Sequence, residues 1–67
     1  MRTTAFQIEQ KIDNELFVFW QHKRCSASWA LIKLEKYMKR YPQGKFQLVA
    51  KLKIANDTGR NVLKKNF

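Results

Sequence analysis

The apolar positions of this chain change period along its length. Between Ala5 and Ile12 they share one parity, with Phe6, Ile8 and Ile12 on one side and Gln7, Glu9 and Lys11 on the other. Asp13-Asn14 interrupts the pattern with two residue types that tolerate left-handed backbone angles. An unbroken aromatic and β-branched run follows, Leu16-Phe17-Val18-Phe19-Trp20. Alternation, turn and run predict a β-hairpin with strands over 4–12 and 15–23. A helical reading of Ala5, Ile8, Ile12 and Leu16, capped by Thr4, competes with it. The five-residue run is too wide for the stripe of an amphipathic helix. A two-residue turn sets Ile12 opposite Glu15, Gln10 opposite Phe17 and Ile8 opposite Phe19. Facing residues share a side of a sheet, so Phe6, Ile8, Phe17 and Phe19 are expected on one face. Gln7, Glu9, Lys11, Leu16, Val18 and Trp20 are expected on the other.

The period then lengthens. Ala27, Ala30, Leu31, Leu34, Met38 and Tyr41 recur at steps of three and four, which predicts an amphipathic helix over 27–41. Ser26 or Ser28 supplies the cap for a first-turn amide. Pro42 ends the helix and Gly44 eases the reversal. Strict alternation returns with Phe46, Leu48, Ala50, Leu52 and Ile54, predicting a strand over 45–55 with Gln47, Val49, Lys51 and Lys53 on its other side. Asn56-Asp57-Thr58-Gly59 reads as a turn. The basic tail from Arg60 to Phe67 fits a short helix, a fourth strand or a frayed end. Residues 45–54 and 58–66 also loosely fit two helices of a helix-turn-helix, which would turn Arg60, Asn61, Lys64 and Lys65 toward a major groove. Lys53 where that turn favours Gly, and Gly59 inside the recognition helix, count against it. The expected fold class is α+β, a single small domain of ββαβ order with one helix packed on an antiparallel sheet.

A chain of 67 residues makes one domain and buries only about 60% of its unfolded surface. That excludes an enzyme with a separate substrate domain. A content of 45% hydrophobic and 13% aromatic residues excludes a disordered chain. No stretch approaches the roughly 18 apolar residues of a membrane span, and the first residues lack the apolar core of a secretory signal. Cys25 is the one cysteine, so no intrachain disulfide staples the fold, and a reducing, cytoplasmic setting is expected.

Charge carries the functional information. Fourteen Lys and Arg against five Asp and Glu give +9 and a pI near 10.1. Residues 1–32 are net +1 and residues 33–67 net +8, an asymmetry that marks a footprint for phosphates or another acidic surface. On the helix, Trp29, Lys33, Lys36 and Arg40 fall on one outward stripe with Lys39 alongside, spaced to meet successive phosphates. On the open sheet face, Gln7, Lys11, Val18, Trp20, Val49, Lys51 and Lys53 combine cations with an aromatic on which bases stack. Arg60, Lys64 and Lys65 extend the basic set into the tail.

Catalytic constellations are not legible. His22 and Cys25 lie three apart, but a zinc site needs three or four ligands and a nucleophilic thiol needs an orienting partner. Gly44 and Gly59 are isolated, so no phosphate-cradling loop is written. A non-catalytic module without metal or cofactor is expected. Its partner is DNA or RNA, or alternatively an acidic protein surface for which Trp is a favoured anchor. Oligomeric state is left open. Insertion into a membrane surface is disfavoured because the helix needs its apolar side for the core.

From Asp13 to Val49 the chain resembles short phage- and prophage-encoded accessory proteins. The resemblance rests on the aromatic-ended hairpin (Phe17, Phe19, Trp20), the helix opening Ser26-x-Ser28-Trp29-Ala30-Leu31, and Tyr41-Pro42 before the strand Phe46-Gln47-Leu48-Val49. It covers a little over half the chain. It implies a ββαβ layout and, since such proteins include inhibitors of host machinery, a host protein as the alternative partner. It transfers no functional residue.

Overall fold

A computed structural model describes residues 4–54 and 57–67. Four strands and one helix follow in the order β1 (Thr4–Ile12), β2 (Glu15–Cys25), α1 (Ala27–Arg40), β3 (Phe46–Ile54) and β4 (Asp57–Lys65). They form a single antiparallel sheet of order β2-β1-β3-β4. The α+β class and the helix-on-sheet architecture are as the hydrophobic periods predict. The tail is resolved into a fourth strand, so the order is ββαββ. The helix-turn-helix reading is overturned, because both of its proposed helices are strands. Of the predicted turn Asn56-Asp57-Thr58-Gly59, the last three residues belong instead to β4, while Asn56 lies, with Ala55, outside the described residues.

The topology has a simple cause. β2 and β3 both run antiparallel to β1, so they are parallel to each other, and parallel strands need a crossover rather than a hairpin. α1 is that crossover, lying over β1 and β3. Ser26 caps it by accepting the Trp29 N–H at 3.2 Å, and Lys39 and Arg40 sit in the last turn, where positive charge suits the helix dipole. At the other end the Tyr41 N–H bonds the Tyr37 carbonyl and the Gly44 N–H bonds the Tyr41 carbonyl. The core lies between the layers. Ala30 and Leu34 of α1 meet Phe6 and Ile8 of β1 and Phe46, Leu48 and Ala50 of β3, with Leu31, Tyr37 and Met38 packed around them.

The hairpin turn is the expected Asp13-Asn14, with both residues at positive φ (52° and 66°), the type I′ geometry that matches strand twist. Ile12 faces Glu15 and Gln10 faces Phe17, as predicted. The register then shifts: Glu9 faces Val18, but Ile8 faces Trp20. Phe19 is the extra residue of a β-bulge, and the expected pairing of Ile8 with Phe19 is lost. The reason is packing on the helix side. Phe19 lies 4.9 Å from Tyr37 and 5.2 Å from Phe46, centroid to centroid, while Trp20 lies 5.7 Å from Trp29. Two consecutive aromatics reach the same side of a strand only where a bulge breaks the alternation. β2 also runs two residues beyond the predicted end at 23, and α1 ends at Arg40, with Tyr41 as its C-cap.

The C-terminus is tied down. Asn66 accepts the Phe46 N–H through Oδ1 at 2.7 Å and donates to the Gly44 carbonyl at 3.0 Å. Its own N–H bonds the Phe46 carbonyl.

Candidate nucleic-acid interface

Two surfaces carry the cations. The first is the flank of α1 above β2. At 3.6 residues per turn, Trp29, Lys33, Lys36 and Arg40 fall within one narrow stripe, as the spacing predicts. Lys39 lies beyond that stripe, past the exposed Ile32. The stripe turns toward β2, because Trp29 meets Trp20 and His22 of that strand and Tyr37 meets Phe19. Lys33 holds its ammonium 5.2 Å from the centre of the Trp29 ring, and the Arg40 guanidinium lies 5.8 Å from that of Tyr41. Aromatic rings therefore line the seam between α1 and β2, and the Lys33 and Arg40 side chains rest beside two of them.

Trp20 is the main correction to the sequence reading. It was expected on the open sheet face and lies on the helix side, half-buried against the core. There it forms a cluster with His22 and Trp29. Its ring stacks on His22 at 6.1 Å, and His22 meets Trp29 edge-on at 5.0 Å. His22 Nδ1 accepts the Arg24 N–H at 3.1 Å, which assigns the ring proton of neutral His22 to Nε2. No feature of the hairpin alternation signals this cluster, since the bulge that creates it is written only in tertiary packing. Cys25 borders the cluster, and burial pushes its thiol pKa up, the opposite of what a nucleophilic thiolate needs. Among the described residues, no three His, Cys, Asp or Glu side chains gather to hold a metal.

The second surface is the open sheet face, and its centre is closed. Glu9 is buried there beside Gln7, Gln47 and Val49. Arg60 donates to it through both terminal nitrogens, Nη1 to Oε2 and Nη2 to Oε1, each at 2.7 Å. Gln47 Nε2 donates to Oε1 at 2.6 Å and Gln7 Nε2 to Oε2 at 2.5 Å. Arg60 above all, with the two amides, holds the Glu9 carboxyl down at about 2 against the cost of burial. The same pair raises the Arg60 guanidinium pKa. Arg60 is thus committed to Glu9. This pairing spans 51 residues, and no local pattern announces it.

The remaining candidates divide between the faces. Lys11 and Lys51 lie half-buried on the open face, as expected. Lys11 and Lys65 rest their ammonium groups over the Phe67 ring at 5.3 and 5.5 Å. Lys53 occupies β3 opposite Thr58, with its side chain outside the described residues. Lys64 is on the helix side, 3.6 Å from Glu35. The eleven sequence candidates therefore do not form one site. Lys33, Lys36 and Arg40 form one stripe, joined by Trp20 at its base.

No protein-family model matches this chain, and no curated protein or solved structure is detectably similar to it.

Proposed function

We propose that this protein is a small, non-catalytic nucleic-acid-binding module, a regulatory or accessory protein of the cytoplasm, that engages phosphates through the α1 stripe of Lys33, Lys36 and Arg40. The observation that carries the reading is the placement of those cations on one stripe beside an aromatic seam, with the Lys33 ammonium resting over Trp29. Each phosphate neutralised releases condensed counterions, so binding driven this way weakens steeply with salt. The test is fluorescence anisotropy with random duplex DNA and with single-stranded RNA across a salt series. Affinity that falls steeply with salt on either ligand supports the reading. Absence of binding at low salt refutes it.

A second reading has its own observation. β2 is an edge strand, and Leu16, Phe17 and Val18 on it are about half exposed, Val18 reaching 55%. An unpaired, apolar edge suits a protein partner that adds a strand. On this reading the positive charge steers an acidic partner rather than holding phosphates. A single defined protein retained after nuclease treatment, and lost on Val18→Lys, favours it over nucleic acid.

A further inference from the structure

We infer that the cleft between the end of β2 and the start of α1 accepts an unpaired nucleobase, so that the protein prefers single-stranded DNA or RNA to duplex. This rests on the nucleic-acid reading above and adds the form of the ligand.

The cleft is a shallow, solvent-open depression bounded by His22, Arg24, Cys25, Ser26 and Trp29. Trp29 is its platform. Two rings hold the indole in place from the strand side, Trp20 tilted at 58° and His22 edge-on at 78°, yet 39% of the residue stays exposed. An indole kept only for packing would be turned into the core, as Phe46 is; this one is braced and left open. A base stacks on such a ring whatever its identity, because every base has a π-face.

The cations around the ring fit the same ligand. The Lys33 ammonium rests 5.2 Å from the centre of the Trp29 ring. That contact is weak at an exposed position, and a stacked base displaces it while the freed ammonium moves to the adjoining phosphate. Arg24 also borders the depression. The strand then continues along α1 past Lys36 and Arg40. In a duplex the base faces are already stacked on one another, and exposing one costs unpairing and unstacking. Duplex therefore offers the α1 stripe its phosphates but leaves the cleft empty.

The test compares labelled single-stranded DNA, single-stranded RNA and duplex of the same sequence by anisotropy at one salt concentration. The inference requires the wild type to bind at least one single strand about tenfold more tightly than duplex, and Trp29→Ala to remove most of that preference by weakening single-strand binding far more than duplex binding. Trp29→Phe keeps a stacking ring and packing on Trp20, so it retains most of the single-strand affinity and controls for loss of fold. In a Trp20→Phe background Trp29 is the sole indole, and its emission should be quenched by single strand but not by duplex. Equal affinity for both forms, or a Trp29→Ala variant with undiminished single-strand binding and no quenching, overturns the inference and leaves phosphate binding by α1 standing. Failure of the nucleic-acid reading itself looks different: none of the three ligands binds, even at low salt.

Discussion

Arg60 of β4 grips Glu9 of β1 through two parallel hydrogen bonds of 2.7 Å, across the intervening strand β3 and on the side of the sheet that no helix covers. Glu9 is almost wholly shielded while Arg60 keeps a side-chain exposure of 46%. The guanidinium therefore acts as the lid of a buried carboxylate, and it ties the last strand to the first.

That pair sets the acid limit of the fold. Unfolded, Glu9 titrates near its ordinary 4.5; folded, it is held at about 2. A depressed carboxylate contributes stability that is complete above the unfolded value and is lost as pH falls through the folded one. The loss is on the order of 2 kcal/mol once the partial exposure of Arg60 is discounted. Chemical denaturation at neutral pH and at about pH 3 measures it. Wild type should lose much of that stability between the two conditions, the remainder going as pH falls on through about 2, and Glu9→Gln should lose little. Arg60→Ala, which leaves the carboxylate buried without its partner, should be destabilised at neutral pH by about 3 kcal/mol.

Gly44 is set by close approach rather than by backbone angle. A Cβ there would lie 2.8 Å from Cζ of Phe46, closer still to its Cε2, and 3.2 Å from the Tyr41 carbonyl oxygen. Phe46 is fully buried and cannot swing aside. Gly44→Ala should cost about 1–3 kcal/mol through overpacking. In a domain this small that lowers the melting temperature by roughly 4–8 °C per kcal/mol, which calorimetry reads directly.

The hairpin turn makes the opposite demand, since Asp13 and Asn14 both occupy positive φ. A β-branched side chain is strained there and glycine is not. Asn14→Val should fall below Asn14→Gly by about 1–2 kcal/mol in equilibrium unfolding.

At the C-terminus, Asn66 supplies the acceptor for the Phe46 N–H. Asn66→Ala leaves that part-buried amide without a partner, at a cost of about 1–2 kcal/mol. The Phe46 amide should then exchange with solvent much faster, and hydrogen exchange by NMR is the direct measurement.

How far the sequence carried the fold depended on whether each signal was local. Phe46, Leu48 and Ala50 alternate cleanly because β3 is central and one of its faces meets the helix. Ala30 and Leu34 repeat because α1 has one buried side. The turn at Asp13-Asn14 was legible because its backbone angles restrict residue choice. Trp20 was misplaced because a single bulged residue, Phe19, reverses the parity of everything after it, and the gain that stabilises the bulge comes from Tyr37 and Trp29 on another element. Glu9 carried no local signal of its burial, since its partners Arg60 and Gln47 arrive from distant strands. The basic stripe of α1 was legible as spacing. The aromatic seam beside it was not, because it depends on that same bulge.

The central claim is that position, rather than net charge, makes this protein a phosphate-binding surface. Two triple variants with the same overall charge test it. One reverses the helix stripe (Lys33→Glu, Lys36→Glu, Arg40→Glu), and the other reverses the open sheet face (Lys11→Glu, Lys51→Glu, Lys65→Glu). Anisotropy at low salt should show the helix variant losing about a hundredfold or more in affinity, while the sheet variant stays much closer to wild type and keeps most of its salt dependence. Equal losses in the two variants would mean that bulk charge alone drives binding, and the α1 interface would be wrong.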